Sequence, residues 1–383
     1  MSAPVKDVLL IGLGAVGSVY ALVLKRSGLV RVTAVARSNY ATIERDGLHI
    51  KSARYGEQVG WRPDRLCNSV ASAADRAYSH VILTTKALPD VSPTSALLAP
   101  LLTSPYSDKF DQPTYVFLQN GLNVEADVYG VLERLGKGAP KVVNTAVYIA
   151  ATIVGDNFVE HGDMNDRMSM GMYHPDTSTT SSSSSPPPPA LTDLQEMLEK
   201  GGVDSTFTIV PSIYTVKFAK NFWNIVWSCT ATLTTYPLPS LWRPPPKDGE
   251  VYENGVYVSE STRKWVEEYT LPNMRAVLEE VLSVARAIGI PDLPAPLGIP
   301  SSFVDSMIRD TAALHVVASN NHRPSMLVDA QQGGPIEVEV ILGEVVREAR
   351  KRGVSVPRIE MLYALLIVVQ NQMLRKMETR KTA

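Results

Sequence analysis

Cysteine is scarce. The 383 residues include only Cys67 and Cys229, far apart and in no CxxC spacing, which excludes a disulfide framework and a thiolate zinc site and suits a reducing, cytoplasmic compartment. A surplus of either charge is also missing. Thirty-seven Lys and Arg stand against 39 Asp and Glu, a formal charge of −2, so no general basic surface is available to hold a phosphate backbone and nucleic acid is not an expected partner. Long apolar runs are absent with one exception, Val8 to Leu24 behind Lys6. That run is slightly short for a spanning helix, lacks a convincing small-residue cleavage site and contains Gly12, Gly14 and Gly17, so it is read neither as a membrane anchor nor as a signal peptide. The last residues, Arg380-Lys381-Thr382-Ala383, match no address signal. What remains is the composition of a soluble globular protein, 45% hydrophobic and 20% charged, at a length that favours two domains.

Short segments rich in β-branched or apolar residues occur at 8–11, 31–36, 80–84, 114–118 and 142–149. The stretches between them are able to cross over, which predicts a parallel sheet with helices on both faces: an α/β, Rossmann-type N-terminal domain. Asp176 to Pro189 reads DTSTTSSSSSPPPP; it cannot bury a core and is read as a flexible loop and a short polyproline stretch without chemistry. After Thr208 helical periodicity takes over, at 213–233, 261–288, 304–319, 336–352 and 359–376. The proline-rich excursion Tyr236 to Tyr257 interrupts it, with a hairpin signal at Asn254-Gly255. The expected organisation is therefore an NADP-binding Rossmann-like domain over 1–175, a low-complexity insertion and connection over 176–208, and a mainly α-helical substrate and catalytic domain over 209–383.

Gly12-Leu13-Gly14-Ala15-Val16-Gly17 follows a strand and opens a helix, the context that turns a glycine pattern into a dinucleotide site. Gly12 permits the tight turn, Gly14 lets the backbone approach a pyrophosphate, Gly17 lets helix and strand pack closely, and the helix N-terminus attracts the negative charge. At the end of the second strand, where an NAD site usually places a carboxylate for the ribose hydroxyl, this chain has Arg37 and Ser38. A guanidinium and a hydroxyl suit a 2′-phosphate, so NADPH is the expected cofactor. Thr84-Thr85-Lys86 and Gln119-Asn120-Gly121 fall where later strands end, which places Lys86 and Asn120 at the cofactor crevice.

Lys220-Asn221-Phe222-Trp223-Asn224-Ile225-Val226-Trp227-Ser228 is apolar nearly all round a helix and therefore belongs in a core. Yet Lys220, Asn224 and Ser228 recur at i, i+4 and i+8 and form one polar stripe. Buried amine and amide groups are costly without partners, so such a stripe is expected to line a wet or ligand-filled site. Lys217 lies about one turn earlier, and only the spacing to Asn224 favours Lys220. Downstream, Pro324-Ser325-Met326-Leu327 leads to Glu337 at a helix start, where alone each polar residue reads as a helix-end group.

Taken together, the glycine loop, Lys86, Gln119-Asn120-Gly121, Lys220 with Asn224, and Pro324-Ser325-Met326-Leu327 with Glu337 resemble the ketopantoate reductase family over most of the chain. The resemblance implies NADPH-dependent reduction of 2-dehydropantoate to pantoate, a step of pantothenate biosynthesis, by hydride transfer and without a metal. It implies Lys220 as general acid with Glu337 beside it, and Asn120, Asn224, Ser228 and Ser325 toward the substrate. On the cofactor side it implies the glycine loop, Arg37, Ser38, Lys86, Asn120 and Glu337. Partners would be a small 2-keto acid and a second copy of the chain in a homodimer, with the oligomeric state left open by the sequence. Three features depart from the family's pattern: Ser228 stands where a second asparagine is frequent, and the Ser/Pro tract and the Tyr236 to Tyr257 excursion are additional. A reductase of another 2-keto acid or an imine on the same frame is the first alternative, and a non-catalytic NADPH-sensing regulator the second.

Overall fold

The structure, a computed structural model, describes residues 5–162, 166–175, 186–203 and 207–382. The Ser/Pro tract from 176 to 185 lies outside the described residues. The chain divides into two units, Met1–Tyr214 and Thr215–Ala383.

The first unit is built on an eight-stranded sheet. In chain order the strands of this unit are β1 (Lys6–Ile11), β2 (Val30–Val35), β3 (Leu48–Ser52), β4 (Gly56–Trp61), β5 (Arg65–Cys67), β6 (His80–Leu83), β7 (Thr114–Phe117), β8 (Val142–Tyr148), β9 (Ala151–Val154), β10 (Phe158–His161), β11 (Arg167–Met172) and β12 (Phe207–Ile209). The main sheet runs β12-β11-β8-β7-β6-β1-β2-β5. From β8 to β5 every neighbouring pair is parallel; β11 pairs antiparallel with β8, and β12 pairs parallel with β11. The strand order reverses direction between β1 and β6, which opens a crevice at their carboxyl ends. A smaller sheet, β4-β3-β10-β9, packs beside it.

Helix α1 (Ala15–Arg26) explains the apolar run of the sequence. Every residue from Gly17 to Leu24 is buried, because the helix is covered on one side by β1 and β2 and on others by β3, β9, β10 and the helix Pro189–Lys200. A helix apolar all round is stable in water only when enclosed in this way. The helix Pro189–Lys200 and β12 fall within the segment read above as connection. Leu191, Leu194, Met197 and Leu198 bury one stripe of that helix in the same core, at i, i+3 and i+4 spacings that the adjoining low-complexity tract obscured.

The second unit is helical. A continuous helical rod runs through Ile213–Trp223, a π turn at Asn224–Ser228, and Cys229–Thr234. Phe218, Phe222, Ile225, Val226, Trp227 and Cys229 along it have no exposure. Helices Leu271–Ile288, Phe303–His315, Ser325–Gln331, Glu344–Arg352 and Pro357–Thr382 complete the unit. The excursion Tyr236 to Tyr257 contains a short helix, Pro239–Trp242, and turns. No strand forms at Asn254-Gly255: Gly255 is left-handed and its N–H bonds to the Tyr252 carbonyl, while Pro244, Pro245 and Pro246 offer no N–H to a ladder. Among the described residues no helix is long and apolar enough to cross a membrane.

Candidate active site

The candidate residues fall in both units, and each half is built from its own elements. In the first unit, β1 ends at Ile11 and the chain turns at Gly12, whose φ is +106°. A side chain there would meet the Thr85 backbone nitrogen and Cγ2 at 2.9 Å. At Gly17 a Cβ would lie 1.9 Å from the Gly12 carbonyl oxygen and 2.6 Å from Thr84 Oγ1, so helix and strand approach as closely as backbone allows. At Gly14 nothing lies within 4 Å of such an atom. Gly14 is also the N-cap of α1, with no side-chain cap and no acidic residue in the first turn. The open space and the N-terminal N–H groups of α1 together fit the pyrophosphate of a dinucleotide. Leu13 points into the core at 2% exposure, so it and its neighbours Ala15 and Val16 serve this loop through their backbone.

Two side chains hold the loop, and a third holds Thr85 beside it. Thr84 Oγ1 donates to the Gly12 carbonyl at 2.5 Å, Asn39 Nδ2 donates to the Leu13 carbonyl at 2.8 Å, and Gln119 Nε2 donates to the Thr85 carbonyl at 2.8 Å. Asn39 is a positioning residue that sequence reasoning missed; an Asn two residues after the Arg37 of a Rossmann strand end is its only local signal. Arg37 and Ser38 are exposed just past β2, and no carboxylate stands with them in the run Ala36 to Tyr40. Lys86 is exposed beyond the end of β6, and Asn120 is half-buried beyond the end of β7, each at a carboxyl end as expected of a crevice residue.

In the second unit the stretch of the rod from Thr215 to Thr232 is buried except on one face, where Val216, Ala219, Lys220, Trp223 and Asn224 are half-buried. Lys217 is enclosed at 4% exposure, so burial distinguishes the two lysines. Ser228 departs from the stripe expected for it. It is 2% exposed because Asn224–Ser228 is a π turn, whose i→i+5 bonding takes the residues after Asn224 off the α-helical register. Asn221, on the buried side, donates from Nδ2 to the Ile341 carbonyl at 2.9 Å. Ile341 belongs to a second π turn, Glu339–Gly343, and its own N–H bonds to the Glu337 carbonyl at 3.2 Å. The Ile336 N–H is taken by Gln370 Oε1 at 2.8 Å. Asn221 and Gln370 thus pin both sides of Glu337, which is 6% exposed. Neither was legible in sequence, because their partners lie 120 and 34 residues away. Ser325 is exposed and is the first residue of its helix; Pro324 holds the cap position and no side-chain cap bond forms, so the hydroxyl is not committed to capping. Among the described residues no cluster of three or more His, Cys, Asp or Glu is placed to hold a metal ion.

A glycine loop at a sheet's switch point, joined to a helical unit carrying an accessible lysine and asparagine, defines a Rossmann-type oxidoreductase with a separate helical domain. Residues 8–175 match the family described as ketopantoate reductase PanE/ApbA, and residues 261–370 match the ketopantoate reductase PanE/ApbA C-terminal family. The chain belongs to the ketopantoate reductase family, whose members are oxidoreductases of 2-oxo acids that bind a nicotinamide dinucleotide. An uncharacterized protein of Saccharomyces cerevisiae is 27% identical over 95% of this chain and 93% of its own length. The crystal structure of 2-dehydropantoate 2-reductase from Methylococcus capsulatus superposes with a TM-score of 0.69 at 24% identity, over 96% of this chain and 97% of that one. A ternary structure of D-mandelate dehydrogenase with NADH and anilino(oxo)acetate gives a TM-score of 0.66 at 17% identity, over 96% and 99%. These likenesses in structure concern the fold.

Proposed function

We propose that this protein reduces a 2-oxo acid to the 2-hydroxy acid with NADPH in the cytoplasm, ketopantoate being the first substrate to try. The observation that carries the reading is the half-buried face of the helical stretch Thr215 to Thr232, otherwise buried, which presents Lys220 and Asn224 one turn apart. NADPH supplies the hydride. Lys220 hydrogen-bonds the substrate's keto oxygen and delivers a proton to it as charge develops, and Asn224 and Asn120 hold the acid in register. Ser325 binds the carboxylate or a hydroxyl through its uncommitted O–H. Glu337, fixed through Asn221 and Gln370, accepts hydrogen bonds from substrate or cofactor. Arg37 and Ser38 select the 2′-phosphate, and Lys86 adds positive charge at the crevice. The proposed assembly is a homodimer.

The test is NADPH oxidation at its absorbance band with ketopantoate, pyruvate and 2-ketoisovalerate in parallel. Turnover confined to ketopantoate supports the full reading. Turnover only with another keto acid keeps the mechanism and moves the substrate, an outcome favoured by the D-mandelate dehydrogenase among the fold's relatives. Tight NADPH binding without turnover on any of them refutes the enzyme reading in favour of a sensor.

A further inference from the structure

We infer that Glu339 is a positioning residue for Glu337: its carboxylate, held by Tyr363 and Arg347, fixes the π turn that sets the direction of Glu337. This rests on the reductase reading above. Glu339 opens the π turn Glu339–Gly343, whose other four residues are buried, and it follows Glu337 by two residues. A π turn bonds i→i+5 and so holds one residue more than the α-helical register. At 3.6 residues per turn, its collapse to α would rotate the residues before it by roughly 100° about the helix axis. Glu337 would then leave its place. Such a turn is rare on its own account, so the contacts that hold it also hold Glu337.

The Glu339 carboxylate is bound at both oxygens. Tyr363 Oη donates to Oε1 at 2.5 Å, and Arg347 Nη1 donates to Oε2 at 2.9 Å. Arg347 Nη2 also donates to the Glu339 carbonyl at 3.3 Å and to Glu344 Oε1 at 2.7 Å, so the guanidinium clasps the start of the turn by side chain and backbone together. Gly343 leaves the room. A Cβ there would lie 2.7 Å from Glu339 Oε2 and 3.1 Å from both terminal nitrogens of Arg347. Burial, and then the bond to Glu339, push the Tyr363 hydroxyl up to about 12, so it remains a donor at neutral pH.

Tyr363 belongs to the helix Pro357–Thr382, as does Gln370, whose Oε1 accepts the Ile336 N–H at 2.8 Å. The two stand two turns apart with Leu366, which has no exposure, between them, so they share one face of that helix. This face therefore holds the chain one residue before Glu337 and two residues after it. Asn221 supplies the third tie, from the helix of Lys220 to the Ile341 carbonyl inside the π turn. Lys220 and Glu337 are thus set relative to one another through bonds that converge on this turn, and a misplacement of about 1 Å in a reacting site costs up to roughly a hundredfold in rate.

The experiment measures kcat and KM with the best 2-oxo acid for Glu337→Gln, Glu339→Ala and the double variant, with Glu339→Gln and Tyr363→Phe alongside. Glu337→Gln is expected to lower kcat/KM by about tenfold to a hundredfold. Glu339→Ala is expected to lower it about tenfold, with the loss in the same constant, kcat or KM, as in Glu337→Gln. In the double variant the Glu339 change is expected to add less than about twofold, because it acts only through Glu337. Glu339→Gln keeps an acceptor and is expected to recover most of the loss. Tyr363→Phe removes one bond and keeps the ring; it is expected to lower kcat/KM roughly threefold and to be silent in the Glu337→Gln background, so it carries the test if Glu339→Ala folds poorly. Losses that multiply in the double variant overturn this inference alone, as does a lower Tm with unchanged kcat/KM in Glu339→Ala. Full turnover in Glu337→Gln removes Glu337 from the site and this inference with it. No turnover of any 2-oxo acid by the wild type overturns the reductase reading itself.

Discussion

Replacing Gly14 and Gly17 separately with alanine separates cofactor binding from folding, because the two methyl groups meet different surroundings. At Gly17 the new Cβ would fall 1.9 Å from the Gly12 carbonyl oxygen and 2.6 Å from Thr84 Oγ1. The clash is with backbone of the same loop, so α1 must withdraw from β1 by an ångström or more, and α1 is buried throughout its middle. Overpacking of this severity costs about 3 kcal/mol or more, which lowers the Tm of a unit this size by roughly 6–12 °C. At Gly14 the Cβ meets nothing within 4 Å and φ is −84°, so the fold accepts it at little cost. The methyl group would instead occupy the space the pyrophosphate needs over the N-terminus of α1. Loss of one or two charge-assisted bonds there is worth about 3 kcal/mol, or roughly a hundredfold in Kd. Thermal melts and fluorescence titration with NADPH read the two effects. Gly14→Ala should melt like the wild type and bind NADPH weakly; Gly17→Ala should melt early. A Gly14→Ala variant with wild-type NADPH affinity would refute the placement of the pyrophosphate at this loop.

Lys220→Ala should lower kcat by about 10²–10⁴, the range of general acid catalysis, with little change in NADPH affinity; single-turnover kinetics check it, and unchanged turnover removes Lys220 from the mechanism. Lys217→Ala should instead lower the Tm, since that residue is enclosed. Arg37→Ala should weaken NADPH binding by roughly tenfold to a hundredfold and leave NADH nearly unaffected, and equal losses for both cofactors would argue against a 2′-phosphate contact. Burial pushes the imidazoles of His80 and His315 down to about 4. Their folded values lie below the unfolded value of about 6.5, so the unfolded chain takes up protons first. Their contribution is intact above about pH 6.5 and lost as pH falls toward 4, by up to about 3 kcal/mol each. Denaturant melts of His315→Phe between pH 7 and 4 should show a shallower loss than the wild type; an identical slope would contradict the assignment.

The sequence by itself determined the α/β character of the first unit and the helical character of the second. Strand texture and helical period are local properties, and the segments expected at 80–84, 114–118 and 142–149 appear as β6, β7 and β8 within a residue or two. It also determined the glycine loop between β1 and α1, and the lack of a carboxylate at the end of β2, since both depend only on residues near in the chain. The short strands β3, β4, β9 and β10 were not legible. They are mixed in polarity and gain their stability from pairing partners, such as β10 on β3, about a hundred residues apart. Tertiary structure alone decided that Lys220 and not Lys217 is accessible, since the two differ only in what packs on them. It removed Ser228 from the polar stripe, because a π turn inserted at Asn224 is a response to packing that helical periodicity does not encode. It also brought Asn221 to the Ile341 carbonyl, Gln370 to the Ile336 N–H, and Arg243 to the turn of His322. Each of these is a side chain satisfying a distant backbone group, and the energy of such a bond exists only once the chain has brought its ends together.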